Sequence, residues 1–265
     1  IQTLLEIRAK GGNLLLNVGP RPDGPLSRDE EGRLRDIALW NFVNQESIDA
    51  VRPWVITNEG NIWFTRKKSE PTVYAFVTNS PWKLGETRTI TLRSVRASEQ
   101  SEIGIVGQTG QILEYRPDIL PRTAWKQDAQ GLHITATNAQ RMYDDRRWAN
   151  PVVLRITRAR AALDPPRVTT RGARWEGGAW VLEGEAQSLG DAASVEVGFQ
   201  YRPRKGLTDL YEKTEPWRDL TLQPQSKPGV FTARLPGVGR EQDYEFRAVV
   251  RHPLLALYGS ERPLR

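Results

Sequence analysis

Lys10-Gly11-Gly12-Asn13-Leu14-Leu15-Leu16-Asn17-Val18-Gly19-Pro20-Arg21-Pro22-Asp23-Gly24 is the stretch on which the reading of this chain turns. Leu14, Leu15, Leu16 and Val18 form an apolar run without alternation, the pattern of a strand covered on both faces, as when helices flank a parallel sheet. Gly11-Gly12 and Gly19-Pro20 punctuate its ends. Upstream, Ile1, Leu4, Leu5 and Arg8 recur at helical spacing. Downstream, Ser27-x-x-Glu30 reads as a capping box opening a helix that carries Leu34, Ile37, Trp40, Val43 and Ile48. The order is helix, strand, helix, one turn of a βα repeat, and one such unit cannot bury both faces of its strand. The expectation is that Leu14 to Val18 is a buried parallel strand whose partner strands this sequence does not contain. On that reading the chain, which starts at Ile1 without a Met, is a piece of something longer.

The same residues carry a family resemblance. Residues 11–24, a helix running through Trp40 to Asn44-x-Glu46, and Arg52-Pro53-Trp54 resemble the end of the catalytic barrel in glycoside hydrolase family 29, the α-L-fucosidases. Where that family more usually has Asn-Gly-Glu-x-Ile-Tyr, this chain reads Asn44-Gln45-Glu46-Ser47-Ile48-Asp49. The likeness continues through Gln140-Arg141-Met142-Tyr143-Asp144-Asp145-Arg146-Arg147-Trp148 and Pro151 to Thr157, so that it covers most of residues 1–160. It implies a (β/α) barrel followed by a β-sandwich, and removal of terminal α-linked L-fucose from glycans with retention. It also implies an Asp nucleophile and a separate acid/base upstream of Ile1, with no metal or organic cofactor. A periplasmic or extracellular setting in a bacterium would suit it.

Composition narrows the alternatives. A chain of 265 residues can hold two domains, and 26% charged with 38% hydrophobic residues is ordinary for a globular protein. No stretch approaches the roughly 18 apolar residues of a membrane span. Having no Cys, the chain can form neither disulfides nor thiolate metal sites. The net charge of +6 is spread over short basic runs interleaved with acids, such as Arg66-Lys67-Lys68-Ser69-Glu70 and Arg202-Pro203-Arg204-Lys205. That reads as a solvated mixed surface and not as a nucleic-acid footprint.

From about residue 55 the period changes to two. Val73, Ala75 and Val77 alternate with Tyr74 and Phe76, Ile90 and Leu92 with Thr89 and Thr91, and Leu132, Ile134 and Ala136 with His133 and Thr135. Short strands of this kind predict an antiparallel sandwich, with hairpin turns at Gly107-Gln108-Thr109-Gly110 and Asp128-Ala129-Gln130-Gly131. Asp164-Pro165-Pro166 marks a stiff connector. Beyond it, Val195, Val197, Phe199 and Tyr201 share a face, as do Tyr244, Phe246, Ala248 and Val250. Leu235-Pro236-Gly237 and the strand from Tyr244 resemble the late strands of a fibronectin type III module of about 100 residues. The expected fold is mainly β: 1–54 the last βα segment of a barrel, 55–160 a β-sandwich, 161–166 a linker, and 167–265 a fibronectin-like sandwich.

No catalytic residue is expected in this chain. A retaining glycosidase needs two carboxyls about 5 Å apart, and the resemblance places both upstream. Asp23-Gly24 is a turn signal, while Asp29, Glu30 and Glu31 occupy a helix's first turn, where acids suit the macrodipole. Asn17 and Arg21 are the candidate substrate-binding residues, at a pocket rim, because they follow a barrel strand on the side that carries active sites. The alternative for Asn17 is that it satisfies loop backbone groups. His133 and His252 have no carboxylate or serine at a telling spacing, so neither a triad nor a metal site is expected. Trp82, Trp125, Trp148, Trp175, Trp180 and Trp217 could stack on sugar rings or fill cores, with Trp180 and Trp217 assigned to the core. Arg141, Asp144, Asp145, Arg146 and Arg147 could pin sandwich to barrel or form exposed ion pairs. The expected partner is a fucosylated glycan, bound by the missing barrel, with oligomeric state open. The competing reading is a carbohydrate-binding or purely structural β-sandwich protein without catalysis.

Overall fold

The computed structural model describes residues 1–108, 119–139, 150–204, 215–253 and 255–264. Two helices open the chain, α1 (Gln2–Ala9) and α2 (Arg28–Ile48). Eight residues are too few for an isolated helix to persist in water, so α1 depends on the burial of Leu5 and Ala9. The capping box predicted at α2 is present: Ser27 Oγ accepts the Glu30 N–H at 3.2 Å, and the Glu30 carboxylate accepts the Ser27 N–H at 3.1 Å. Asp29, Glu30 and Glu31 fill the first turn, where their charge opposes the exposed N–H dipoles.

Between the helices the expected buried strand is not formed. Among the described residues, 13–20 have no strand partner, and Leu14, Leu15, Leu16 and Val18 are 38%, 86%, 54% and 43% exposed. A strand exists only through hydrogen bonds to neighbours, and none of the described strands pairs with Leu14 to Val18.

The backbone divides into two compact units, Ile1–Ala162 and Leu163–Arg265. The first unit continues with β1 (Val51–Glu59), β2 (Ile62–Lys67), β3 (Val73–Val77), β4 (Thr87–Leu92), β5 (Val95–Arg96), β6 (Ile103–Ile105), β7 (Thr123–Asp128), β8 (Gly131–Thr137), β9 (Val152–Ile156) and β10 (Arg160–Ala161). These pair antiparallel as a five-stranded sheet in the order β1-β2-β3-β9-β6, a three-stranded sheet β4-β8-β7, and a ribbon β10-β5. The strand period therefore begins at Val51, not near 55, and Arg52-Pro53-Trp54 lies in β1. The Asp128–Gly131 hairpin forms as expected between β7 and β8. Gly107-Gln108-Thr109-Gly110 lies partly outside the described residues.

Alternation holds in β8, where Leu132, Ile134 and Ala136 are buried, but in β3 all five residues are buried. The reason is a second layer: Leu5, Trp40 and Ile48 of the helices pack with Tyr74, Phe76 and Val153 on the five-stranded sheet. Trp40 Nε1 donates to the Pro151 carbonyl at 3.0 Å, so the indole is buried without leaving its polar edge unsatisfied.

The second unit comprises β11 (Arg167–Glu176), β12 (Ala179–Ser188), β13 (Val195–Pro203), β14 (Arg218–Asp219), β15 (Gln223–Gln225), β16 (Gly229–Leu235), β17 (Tyr244–His252), β18 (Leu255–Tyr258) and β19 (Arg262–Pro263). One antiparallel sheet runs β11-β12-β16; the other runs β14-β13-β17-β18, with β15 also on β13 and β19 on β17. Val195, Val197 and Phe199 meet Phe246, Ala248 and Val250 in the core, as their shared faces predict. Phe199 lies 5.1 Å from Phe231 and 6.2 Å from Phe246 between ring centroids. Gly184 is required there, because a Cβ would stand 2.7 Å from the Phe231 ring.

Candidate functional site

Asn17 and Arg21 lie on the exposed chain that joins α1 to α2. Both ends of that segment are fixed. At its start, Gly11 takes a positive φ of 86° after α1, and Arg8 Nη1 donates to Gly12 O at 3.0 Å and Asn13 Oδ1 at 2.9 Å. At its end, the Gly19 N–H donates to Glu30 Oε1 at 3.3 Å, so the capping carboxylate also anchors the loop. Within the loop, the Gly24 N–H donates to Arg21 O and the Arg21 N–H to Pro25 O, with Gly24 at φ 97°.

The Arg21 guanidinium grips Asp23 through two contacts, Nε at 3.1 Å and Nη2 at 2.5 Å. That hydrogen bond holds the Asp23 carboxyl below the usual carboxylate range, and the Ser27 hydroxyl does the same for Glu30. Asp23 is thus tied to the loop and Glu30 to both the loop and the helix start. The Arg21 side chain is 55% exposed, and Asn17 is exposed two residues before Gly19. A separate cavity of about 390 Å³ is bordered by Thr3, Arg33, Asp36, Ile37 and Pro151 and includes neither candidate.

The C-terminal end of α2 is secured by side chains from two elements, α1 and β2. Lys67 Nζ donates to the Glu46 and Asp49 carbonyls at 2.8 and 3.1 Å, Thr65 Oγ1 to Ser47 O at 2.8 Å, and Arg8 to Ile48 O at 3.0 and 3.2 Å. Tyr74 reaches the Glu46 carboxylate at 3.4 Å, and burial followed by that charge pushes its phenol above the ordinary range. The two residues that depart from the usual family pattern, Gln45 and Asp49, hydrogen-bond each other at 2.8 Å.

The aromatic candidates separate cleanly. Trp82 is buried and donates to Glu86 O at 2.8 Å, and Trp180 is buried with Trp175 edge-on at 5.4 Å. Trp125 is half-buried on β7, directly across from Ile134. Trp217 is not a core residue as expected; it is half-buried outside the sandwich core, beneath the guanidiniums of Arg202 and Arg247. Trp148 and the cluster Arg141, Asp144, Asp145, Arg146 and Arg147 lie outside the described residues.

His133 does have a carboxylate partner. Its Nε2 lies 2.8 Å from Asp128 Oδ1 and its Nδ1 3.0 Å from Thr91 Oγ1, an arrangement built by the register of β4, β8 and β7. Asp128 stands five residues before His133 across a two-residue turn, a spacing that could have revealed the pair. Among the described residues no group of three His, Asp or Glu side chains is placed to hold a metal, and no helix is long and apolar enough to cross a membrane.

Comparison with known proteins bears on residues 1–46, which match the family model described as alpha-L-fucosidase. This part of the chain resembles the α-L-fucosidases. A tissue alpha-L-fucosidase of Rattus norvegicus is 30% identical over 151 residues, covering 52% of this chain and 31% of that protein. An alpha-L-fucosidase of Branchiostoma floridae is 34% identical over 110 residues, covering 40% of this chain and 23% of its own length. The chain thus spans a third or less of these relatives, and its similarity is to the C-terminal portion of the fucosidase family. An alpha-fucosidase of Thermotoga maritima, solved with a mechanism-based inhibitor, superposes on 58% of this chain and 32% of its own at a TM-score of 0.40 and 21% identity.

Proposed function

We propose that this chain is the C-terminal part of a retaining α-L-fucosidase that removes terminal α-linked L-fucose from glycans. The match of residues 1–46 to the fucosidase family carries the reading. The exposed Leu14, Leu15, Leu16 and Val18 support it, since an apolar run without alternation suits a strand between two parallel neighbours. On this reading residues 1–54 complete a (β/α) barrel, 55–160 form the β-sandwich behind it, and 167–265 add a fibronectin-like module after the 161–166 linker. The nucleophile and acid/base belong to barrel strands outside this chain. Asn17 and Arg21 stand at the rim of the substrate pocket, where Arg21, steered by Asp23, donates to sugar hydroxyls.

The 265-residue chain alone should not hydrolyse an aryl α-L-fucoside, whereas the same chain joined to the upstream barrel should, releasing α-fucose first as read by NMR. In that longer protein Arg21→Ala should raise KM more than it lowers kcat, as loss of a contact made equally in ground and transition states does. Turnover by the 265 residues alone, well above buffer, overturns the proposal.

A further inference from the structure

The outer face of the β13-β17-β18 sheet carries a stack of alternating cations and aromatic rings. Arg202 and Arg247 place their guanidinium carbons 4.1 and 4.2 Å from the Trp217 ring centroid, and Arg247 also lies 3.9 Å from the centroid of Tyr258. The rungs are fixed sideways. Arg202 Nε donates to Glu245 at 2.6 Å, Arg247 donates to Gln200 Oε1 at 3.0 and 2.7 Å, and both guanidiniums lie 3.6 Å from Glu261. Asp219 accepts from Gln200 and from Arg251, each at 2.9 Å.

Trp217, with two cations stacked on it, is not a free platform. Tyr258 is different, because it is the terminal rung, stacked on one cation and still 45% exposed. It stands across from Val249 in the ladder, with Arg247 and Arg251 on the same face of β17, two residues to either side. Arg202, Arg247 and Arg251 are matched by Glu245, Glu261 and Asp219, so the surface does not favour an anion.

We propose that Tyr258 is the floor of a binding site for one pyranose ring of a neutral glycan. An aromatic face is the negative pole of its quadrupole and meets the weakly positive C–H face of a sugar. Glu261, which lies 3.6 Å from Arg247 and whose side chain is 47% exposed, supplies an acceptor for the hydroxyls at its edge. A ring held by Arg247 needs no further ordering on binding, which removes one cost of association. The site belongs to this chain's second unit and is independent of the fucosidase reading.

The test is binding of the 265-residue chain to an array of neutral and acidic glycans, followed by titration of the best ligand. Tyr258→Ala should weaken that binding at least tenfold, Tyr258→Phe should retain it, and Trp125→Ala should leave it unchanged, with melting curves checking the fold of each. If Tyr258→Ala unfolds the protein, upfield-shifted sugar C–H resonances in the Tyr258→Phe complex decide the question. Failure to bind any neutral glycan, preference for acidic ones, equal binding by a folded Tyr258→Ala variant, or unshifted sugar protons would each overturn the proposal.

Discussion

At the scale of single residues, the side chains that matter most are those whose partners lie close in sequence but across a turn. Asp128 is held below the usual carboxylate range chiefly by its hydrogen bond from His133. A depressed acid contributes stability that is present above its unfolded pKa and disappears as pH falls through the folded one. Unfolding midpoints of the chain should therefore drop on acidification below about pH 4. Replacing Asp128 with Asn should make that decline shallower, and thermal melts between pH 3 and 7 would read the difference; identical slopes would remove Asp128 from the account. The pair was written in the sequence as acid, two-residue turn and a His at the third position of the next strand, yet nothing local says that a surface His will turn toward it. Trp217 shows the harder case. Its cations come from β13 and β17, 15 and 30 residues away, so strand context pointed to the core when the sheet's outer face was the answer.

At the scale of elements, legibility followed the range of the interactions. The capping box at Ser27 and Glu30, the hairpin at Asp128–Gly131 and the inward faces of β8, β13 and β17 are specified by neighbours within a few residues, and the chain states them openly. Strand status for Leu14 to Val18 depends on hydrogen bonds from other strands, so composition announced a strand that the described residues do not form. The end of α2 lies between these extremes. Its last carbonyls have no intrahelical partners, and Arg8, Thr65 and Lys67 supply them from α1 and β2. Thr65 is fully buried, and its hydroxyl is the donor to Ser47 O. Thr65→Val keeps the shape and removes the donor, leaving that carbonyl without the bond, at a cost of about 1–3 kcal/mol. Urea denaturation should show a lower midpoint with an unchanged m-value, while Thr65→Ser should lose less; a Val variant as stable as the parent would mean that the helix end finds another donor.

At the scale of the whole molecule, the first unit leaves large apolar side chains in water, Leu15 at 86%, Leu16 at 54% and Phe42 at 81% exposure. Exposed apolar side chains scattered singly are ordinary, but a run of leucines beside Val18 is an apolar patch of the kind that marks a contact surface. If it is a barrel strand awaiting its neighbours, its side chains stabilise nothing in the 265 residues and should be freely replaceable there. Leu15→Ser with Leu16→Ser should change stability by no more than about 0.5 kcal/mol while reducing both binding of the dye ANS and self-association by light scattering. The same pair of substitutions in the protein extended by its upstream barrel should be severe, because each serine would then stand between two layers and cost about 2 kcal/mol or more. The contrast between the two backgrounds is the informative quantity. Equal tolerance in both would mean that Leu14 to Val18 is surface chain in either setting, and the fucosidase reading would then rest on sequence likeness alone.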